Sequence, residues 1–224
     1  MNTKLSKILL AGAVVAFGFS MRVMANSVVL LPGSSVPLAL ATNGPGSTVL
    51  TTETAVFGDV TINGNVRAFV LKNFADNPWA SQGGLTFVYQ VYNSPTSADG
   101  ITGLGIDGWV GYLTNVAYYP NATGVIAPEF ATRSNDGTTV TFGWQNQPIG
   151  SGLILPGFYG DEVIIYTNAT WYTDNTGGVR DGSGDTMLIL GPAALGAPDG
   201  GTTALLLGFG LLGISWAVRR SKKS

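Results

Sequence analysis

The chain has 224 residues, 13 acids against 11 bases, and neither cysteine nor histidine. Its fold must therefore rest on a core rather than on disulfides, and it lacks the commonest general base and the commonest transition-metal ligand. The near-neutral total hides an asymmetry: Asn26 to Gly201 holds all 13 acids but only Arg67, Lys72, Arg133 and Arg180, a net charge of −9. That balance argues against nucleic acid as a partner, because phosphates are met by Lys and Arg, and against an anionic membrane surface. High solubility is what it favours.

In chain order, Lys4 and Lys7 precede an apolar run from Ile8 to Phe19 and a small-residue exit at Val23-Met24-Ala25. A basic start, a short apolar run and such an exit predict a secretory signal peptide over residues 1–25. Sec machinery would export the chain and signal peptidase would cut between Ala25 and Asn26. The run is short for a membrane span. Arg22 is the feature that departs from the usual exit region.

Asn26 to Thr48 carries Pro32, Pro37 and Pro45 among Gly and Ser, which reads as a leading strand or an extended arm. Period-two alternation follows. Val66, Ala68 and Val70 share one strand face, as do Leu85, Phe87, Tyr89 and Val91, and Val140, Phe142 and Trp144. From Asp161 to Tyr166 both faces are apolar, Ile164 and Tyr166 against Val163 and Ile165, as expected for a deeply buried strand. Asn63-Gly64, Asp99-Gly100, Asp107-Gly108, Asp136-Gly137 and Asp181-Gly182 are turn dipeptides between these runs. No stretch shows a 3.6-residue apolar stripe. The expectation is an all-β fold, a single antiparallel β-sandwich of jelly-roll or immunoglobulin-like type over residues 26–190, long enough for one core.

Residues 191–201 read as a linker leaving the domain. An apolar run from Thr202 to Val218 and a basic end, Arg219, Arg220, Lys222 and Lys223, then predict a transmembrane helix over 202–218 and a cytoplasmic tail over 219–224. Seventeen residues at about 1.5 Å rise give about 25 Å of helix, just enough to cross the hydrocarbon core. Trp216 sits where an interfacial aromatic belongs.

Ala197-Pro198-Asp199-Gly200-Gly201, the helix and the basic end together resemble the PEP-CTERM class of sorting tails, substrates of exosortases in Gram-negative bacteria. The nearer resemblance is to the VPDSG-CTERM variant, with Ala197 standing where Val is usual. The resemblance covers about 28 residues. It implies cleavage near the motif by a multi-pass membrane cysteine transpeptidase. Release or attachment at the cell envelope would follow, in a setting of exopolysaccharide and biofilm formation. The middle of the chain, at Gly84–Val91, Asp107-Gly108-Trp109 and Tyr166–Thr170, is similar to uncharacterised β-rich domains found ahead of such tails.

Three sets of side chains are candidates for chemistry. Asp174, Asp181 and Asp185 lie in a Gly-rich stretch whose oxygens suit Ca²⁺, although the spacing is neither an EF-hand nor a nonapeptide repeat, and a solvated hairpin turn explains it equally. Tyr118, Tyr119, Trp171 and Tyr172 fall at predicted strand ends, where exposed aromatics would stack on sugar rings. Asp107 with Glu129, or Asp161 with Glu162, are carboxylate pairs to weigh for glycoside hydrolysis, and adjacent acids on a strand point to opposite faces. No nucleophile elbow, P-loop or zinc motif is present. The expectation is a non-enzymatic, exported, structural or adhesive protein without a cofactor, with a carbohydrate-binding module as the chief alternative and a secreted hydrolase behind it.

Overall fold

The computed structural model describes residues 27–41, 47–120, 124–144, 152–181 and 184–195. These residues are all-β, in two sheets. The strands are β1 (Val28–Val29), β2 (Ser35–Pro37), β3 (Thr48–Gly58), β4 (Asn63–Lys72), β5 (Leu85–Asn93), β6 (Gly103–Ile106) and β7 (Thr114–Tyr119), followed by β8 (Gly124–Ile126), β9 (Phe130–Arg133), β10 (Val140–Gly143), β11 (Tyr159–Gly160), β12 (Glu162–Thr167), β13 (Tyr172–Arg180) and β14 (Gly184–Pro192). The only helical element among the described residues is a 3₁₀ turn, Ala80–Gln82. No described helix is long and apolar enough to cross a membrane.

The first sheet runs β3-β4-β5, continues from β5 to β12, β7 and β1, and carries β11 and β8 beyond the end of β12. The second runs β14-β13-β6-β10-β9-β2. Among the described strands pairing is antiparallel except between β11 and β8; an isolated bridge from Leu40 to Tyr118 is also parallel. One core cluster draws Val66, Ala68, Val70, Phe87, Tyr89, Val163 and Ile165 from the first sheet and Leu104, Ile106, Val140, Phe142, Val179 and Ile189 from the second. The period-two residues thus lie where alternation puts them, each large apolar side chain contributing about 1.5–3 kcal/mol by burial. The Tyr89 hydroxyl crosses the core to donate to the Leu190 carbonyl at 2.7 Å.

The double-faced strand at 161–166 has a specific cause. Val163 and Ile165 face the central core, while Ile164 and Tyr166 join Ala41, Leu71, Phe74, Val88 and Ala117 in a second cluster. Ala41, from the leading arm, and Phe74, from the β4–β5 connection, supply part of that outer cluster. The leading arm and the β4–β5 connection thus cover part of the outer face of the first sheet. The arm also resolves the open reading of the N-terminal stretch: β1 joins the first sheet through β7 and β2 joins the second through β9.

On the opposite side, edge strands β3 and β14 meet. Glu53 Oε2 on β3 accepts the Leu190 N–H of β14 at 3.1 Å, and Asp185 Oδ2 beside the β14 hairpin accepts the Gly58 N–H of β3 at 2.5 Å. Each edge lends a carboxylate to the other's backbone, which removes donors that would otherwise template a foreign strand.

Two turn expectations and one boundary are corrected. Asn63-Gly64 opens β4; the turn lies at residues 59–62, where Asp59 Oδ1 accepts the Thr61 and Ile62 N–H groups at 2.7 and 2.8 Å. Glycine is needed at 64 for close approach: a β-carbon there would collide with the Tyr92 carbonyl of β5 and the Phe57 ring. Gly100 likewise lacks a positive φ, whereas Gly108 (φ 97°) and Gly137 (φ 75°) have one. Gly191 and Pro192, assigned to the linker, belong to β14 and pair with Thr173 and Tyr172.

Candidate functional site

The loops divide between two ends of the sheets. One end gathers residues 73–84, 107–113, 134–139 and 168–171, together with the first described residues, 27–34, and the last, 193–195. The Leu113 N–H donates to Asn168 Oδ1 at 2.9 Å and the Ala193 N–H to the Trp171 carbonyl at 3.1 Å, which holds these loops side by side. The other end carries the 59–62 turn and the β13–β14 hairpin.

At the first end lies a groove of about 600 Å³ whose lining includes Val29, Leu31, Trp79, Tyr112, Leu113 and Arg133. A smaller cavity of about 320 Å³, lined by Val110, Asn175, Ala194 and Leu195, shares Gly111 with it. Arg133, only 5% exposed, places its guanidinium among neutral acceptors. Nε donates to the Gly137 carbonyl at 3.1 Å; Nη1 reaches Thr114 Oγ1 at 3.1 Å and the Leu30 carbonyl at 3.4 Å. Nη2 donates to the carbonyls of Trp109 at 2.5 Å and Tyr112 at 3.0 Å. All five N–H donors are used, so Arg133 ties the residue after β1, the start of β7, the 109–112 loop and the 134–137 turn to one another. Burial pushes its guanidinium below its ordinary value. The adjacent turn is held by Asp136, which accepts from the Ser134 hydroxyl at 2.6 Å and the Thr138 N–H at 3.0 Å. These bonds pull its carboxyl down to about 2.

The predicted site residues do not converge. Asp174 stands near one end of β13 and Asp181 beyond the other, seven residues apart, about 23 Å along an extended strand. Asp185 is committed to Gly58, and the Thr61 hydroxyl lies 2.5 Å from Asp181 Oδ2 and 2.9 Å from Asp59 Oδ1. The calcium trio is therefore split, because a straight hairpin separates what the sequence places within twelve residues. Among the described residues no three of His, Cys, Asp or Glu are grouped to hold a metal ion.

The aromatic set divides in the same way. Trp171 and Tyr172 are 76% and 38% exposed at the groove end, whereas Tyr118 and Tyr119 close the far end of β7, half-buried, with Tyr119 packed on the outer cluster. The four do not make one sugar-stacking surface. Trp109 and Trp144 are fully buried, as alternation predicts for Trp144, and donate their ring N–H groups to the Ile106 and Ile126 carbonyls at 2.9 and 3.3 Å.

Asp107 and Glu129 do not share a cleft. Asp107 accepts from the Thr139 hydroxyl at 2.6 Å at one end of β10, while the Glu129 N–H donates to the Gly143 carbonyl at the other. Asp161 and Glu162 are adjacent and 7% exposed. The residues singled out for cleavage and anchoring lie outside the described residues: Ala25 and Asn26, Ala197 through Gly201, the 202–218 run, and Arg219, Arg220, Lys222 and Lys223.

What sequence reasoning missed is Arg133 and the groove above it. The available signal was one of only four bases in the domain, three residues before the Asp136-Gly137 turn. Comparison with protein families, with curated proteins and with solved structures gives no match.

Proposed function

We propose that this chain is an exported, exosortase-sorted surface or extracellular-matrix protein with a structural or adhesive, exopolysaccharide-associated role and no catalytic activity of its own. Signal peptidase would remove residues 1–25. A membrane transpeptidase of the exosortase type would act near Ala197–Gly201 after the 202–218 helix has paused in the inner membrane, with Arg219–Lys223 as the basic stop. The observation that carries this reading is the tripartite tail: Pro198-Asp199-Gly200-Gly201, then an apolar run, then a basic terminus. The Pro and the Gly pair favour an extended, accessible motif next to a bilayer.

Two facing sheets around one core fit a β-sandwich of jelly-roll or immunoglobulin-like type. The wide separation of Asp107 from Glu129 fits a non-catalytic domain. A structural matrix role also fits a fold whose long edge strands are clasped to each other.

Intact mass of the protein purified from its host, from envelope and medium fractions separately, tests the proposal. The expected product lacks residues 1–25 and everything beyond the Pro198–Gly201 region. A membrane-bound form that retains Thr202–Ser224 would make the chain a simple tail-anchored protein and end the sorting reading. A glycan array separates the matrix role from a lectin-like module, since only the latter gives a selective signal.

A further inference from the structure

Apolar side chains remain in solvent at the end of the molecule where the described chain both begins and ends. Val29, Leu31 and Leu113 are 57%, 59% and 54% exposed along the groove; Val110 and Leu195, at 54% and 56%, line the adjoining cavity. Trp171, the most exposed aromatic among the described residues at 76%, stands beside them, its carbonyl bonded to the Ala193 N–H. Single exposed leucines are ordinary on a soluble domain, but a contiguous group around a groove marks a contact surface. The groove lining carries two charges, Arg133, whose donors are all used, and Asp136 at the rim.

Chain continuity says what covers this surface. Leu195 lines the cavity, and the apolar run begins at Thr202, after six intervening residues. The seven steps from Leu195 to Thr202 reach at most about 25 Å at full extension. With 202–218 in a bilayer, this end of the domain is held within that distance of the lipid interface. We infer that the apolar end, groove downward, seats on the bilayer interface while the tail is in the membrane. This rests on the reading of 202–218 as a membrane span.

The driving force is apolar burial at the headgroup boundary, with Trp171 at the level aromatic residues favour. The tether raises the local concentration enough for a weak contact to be occupied. Electrostatics contributes nothing favourable: the domain is acidic and the groove offers no free base. Seating therefore occurs on zwitterionic lipid and is insensitive to salt, unlike polybasic attachment.

The test uses the full chain with its C-terminal segment, reconstituted into phosphatidylcholine vesicles. The absence of cysteine allows a single fluorescent label at Leu31→Cys or Leu113→Cys, and at Val60→Cys as control. Val60 is 97% exposed in the turn at the opposite end. Lipid-borne nitroxide is expected to quench the labels at 31 and 113 at least about threefold more than the label at 60, as interfacial depth requires. That difference should persist in 0.5 M salt, about a 4 Å screening length. Equal, weak quenching at both ends of a chain that floats with the vesicles would overturn the seating and leave the anchor intact. A chain that does not float loses the anchor reading and the seating with it. Labels shielded from an aqueous quencher but not reached by lipid nitroxide, increasingly so at higher protein density, would assign the face to a second copy and overturn the inference. These positions are solvent-exposed, and retention of near-ultraviolet dichroism from the buried Trp109 and Trp144 verifies that each variant is folded.

Discussion

Arg133 shows how one side chain can organise a whole end of a domain. Its five donors meet acceptors in four separate segments, so no other group in the fold stands in for it. Removing it strands several buried carbonyls at about 1–3 kcal/mol each, partly recovered by relaxation. Arg133→Ala is expected to lose about 3–5 kcal/mol, read as a lower urea midpoint with an unchanged slope. Arg133→Lys, with three donors for five places, should fall between. A Lys variant as stable as the wild type would show that charge, not the fork, is what the site uses.

Between elements, the clasp of β3 and β14 makes stability depend on pH. Partial burial raises the Glu53 carboxyl above its ordinary value of 4.5, Asp174 adds to the rise, and the Leu190 N–H opposes it. The folded state thus holds the Glu53 proton more tightly than the unfolded chain. Its contribution is fully present below pH 4.5 and is lost as pH rises through the raised value. Glu53→Gln keeps an acceptor for Leu190 without the charge. Its urea midpoint relative to wild type should therefore rise between pH 4 and pH 7; a difference constant across that range would contradict the assignment. Asp136, with its carboxyl held low by the turn, runs the other way and costs stability only as pH falls toward 2.

At the scale of the molecule, both described ends of the chain lie at one pole, and the carboxylates first grouped by sequence are spread along the length of a hairpin. Stripping divalent cations is therefore expected to leave the melting temperature of the domain unchanged. A fall of more than about 3 °C on chelation, the size of a 1 kcal/mol effect in a domain of this length, would reveal a cation site that the split of Asp174 from Asp181 argues against.

Alternation by itself determined the all-β class, the inward residues of β4, β5 and β10, and the burial of Trp144, because period-two patterning is a local property of the strand. It also made 161–166 a strand buried on both faces. Local sequence could not say that the leading arm and Phe74 would cover the outer face, since that contact joins segments remote along the chain. Gly64 looked like a turn glycine because the dipeptide is the same; only the packing of β4 on β5 shows that the missing β-carbon is what matters. Distances along a chain also mislead where a strand intervenes: Asp174 and Asp181 are near in sequence and far in space. The five acceptors of Arg133, and the meeting of the two ends at one apolar pole, are properties of sheet order, which the tertiary structure alone decided.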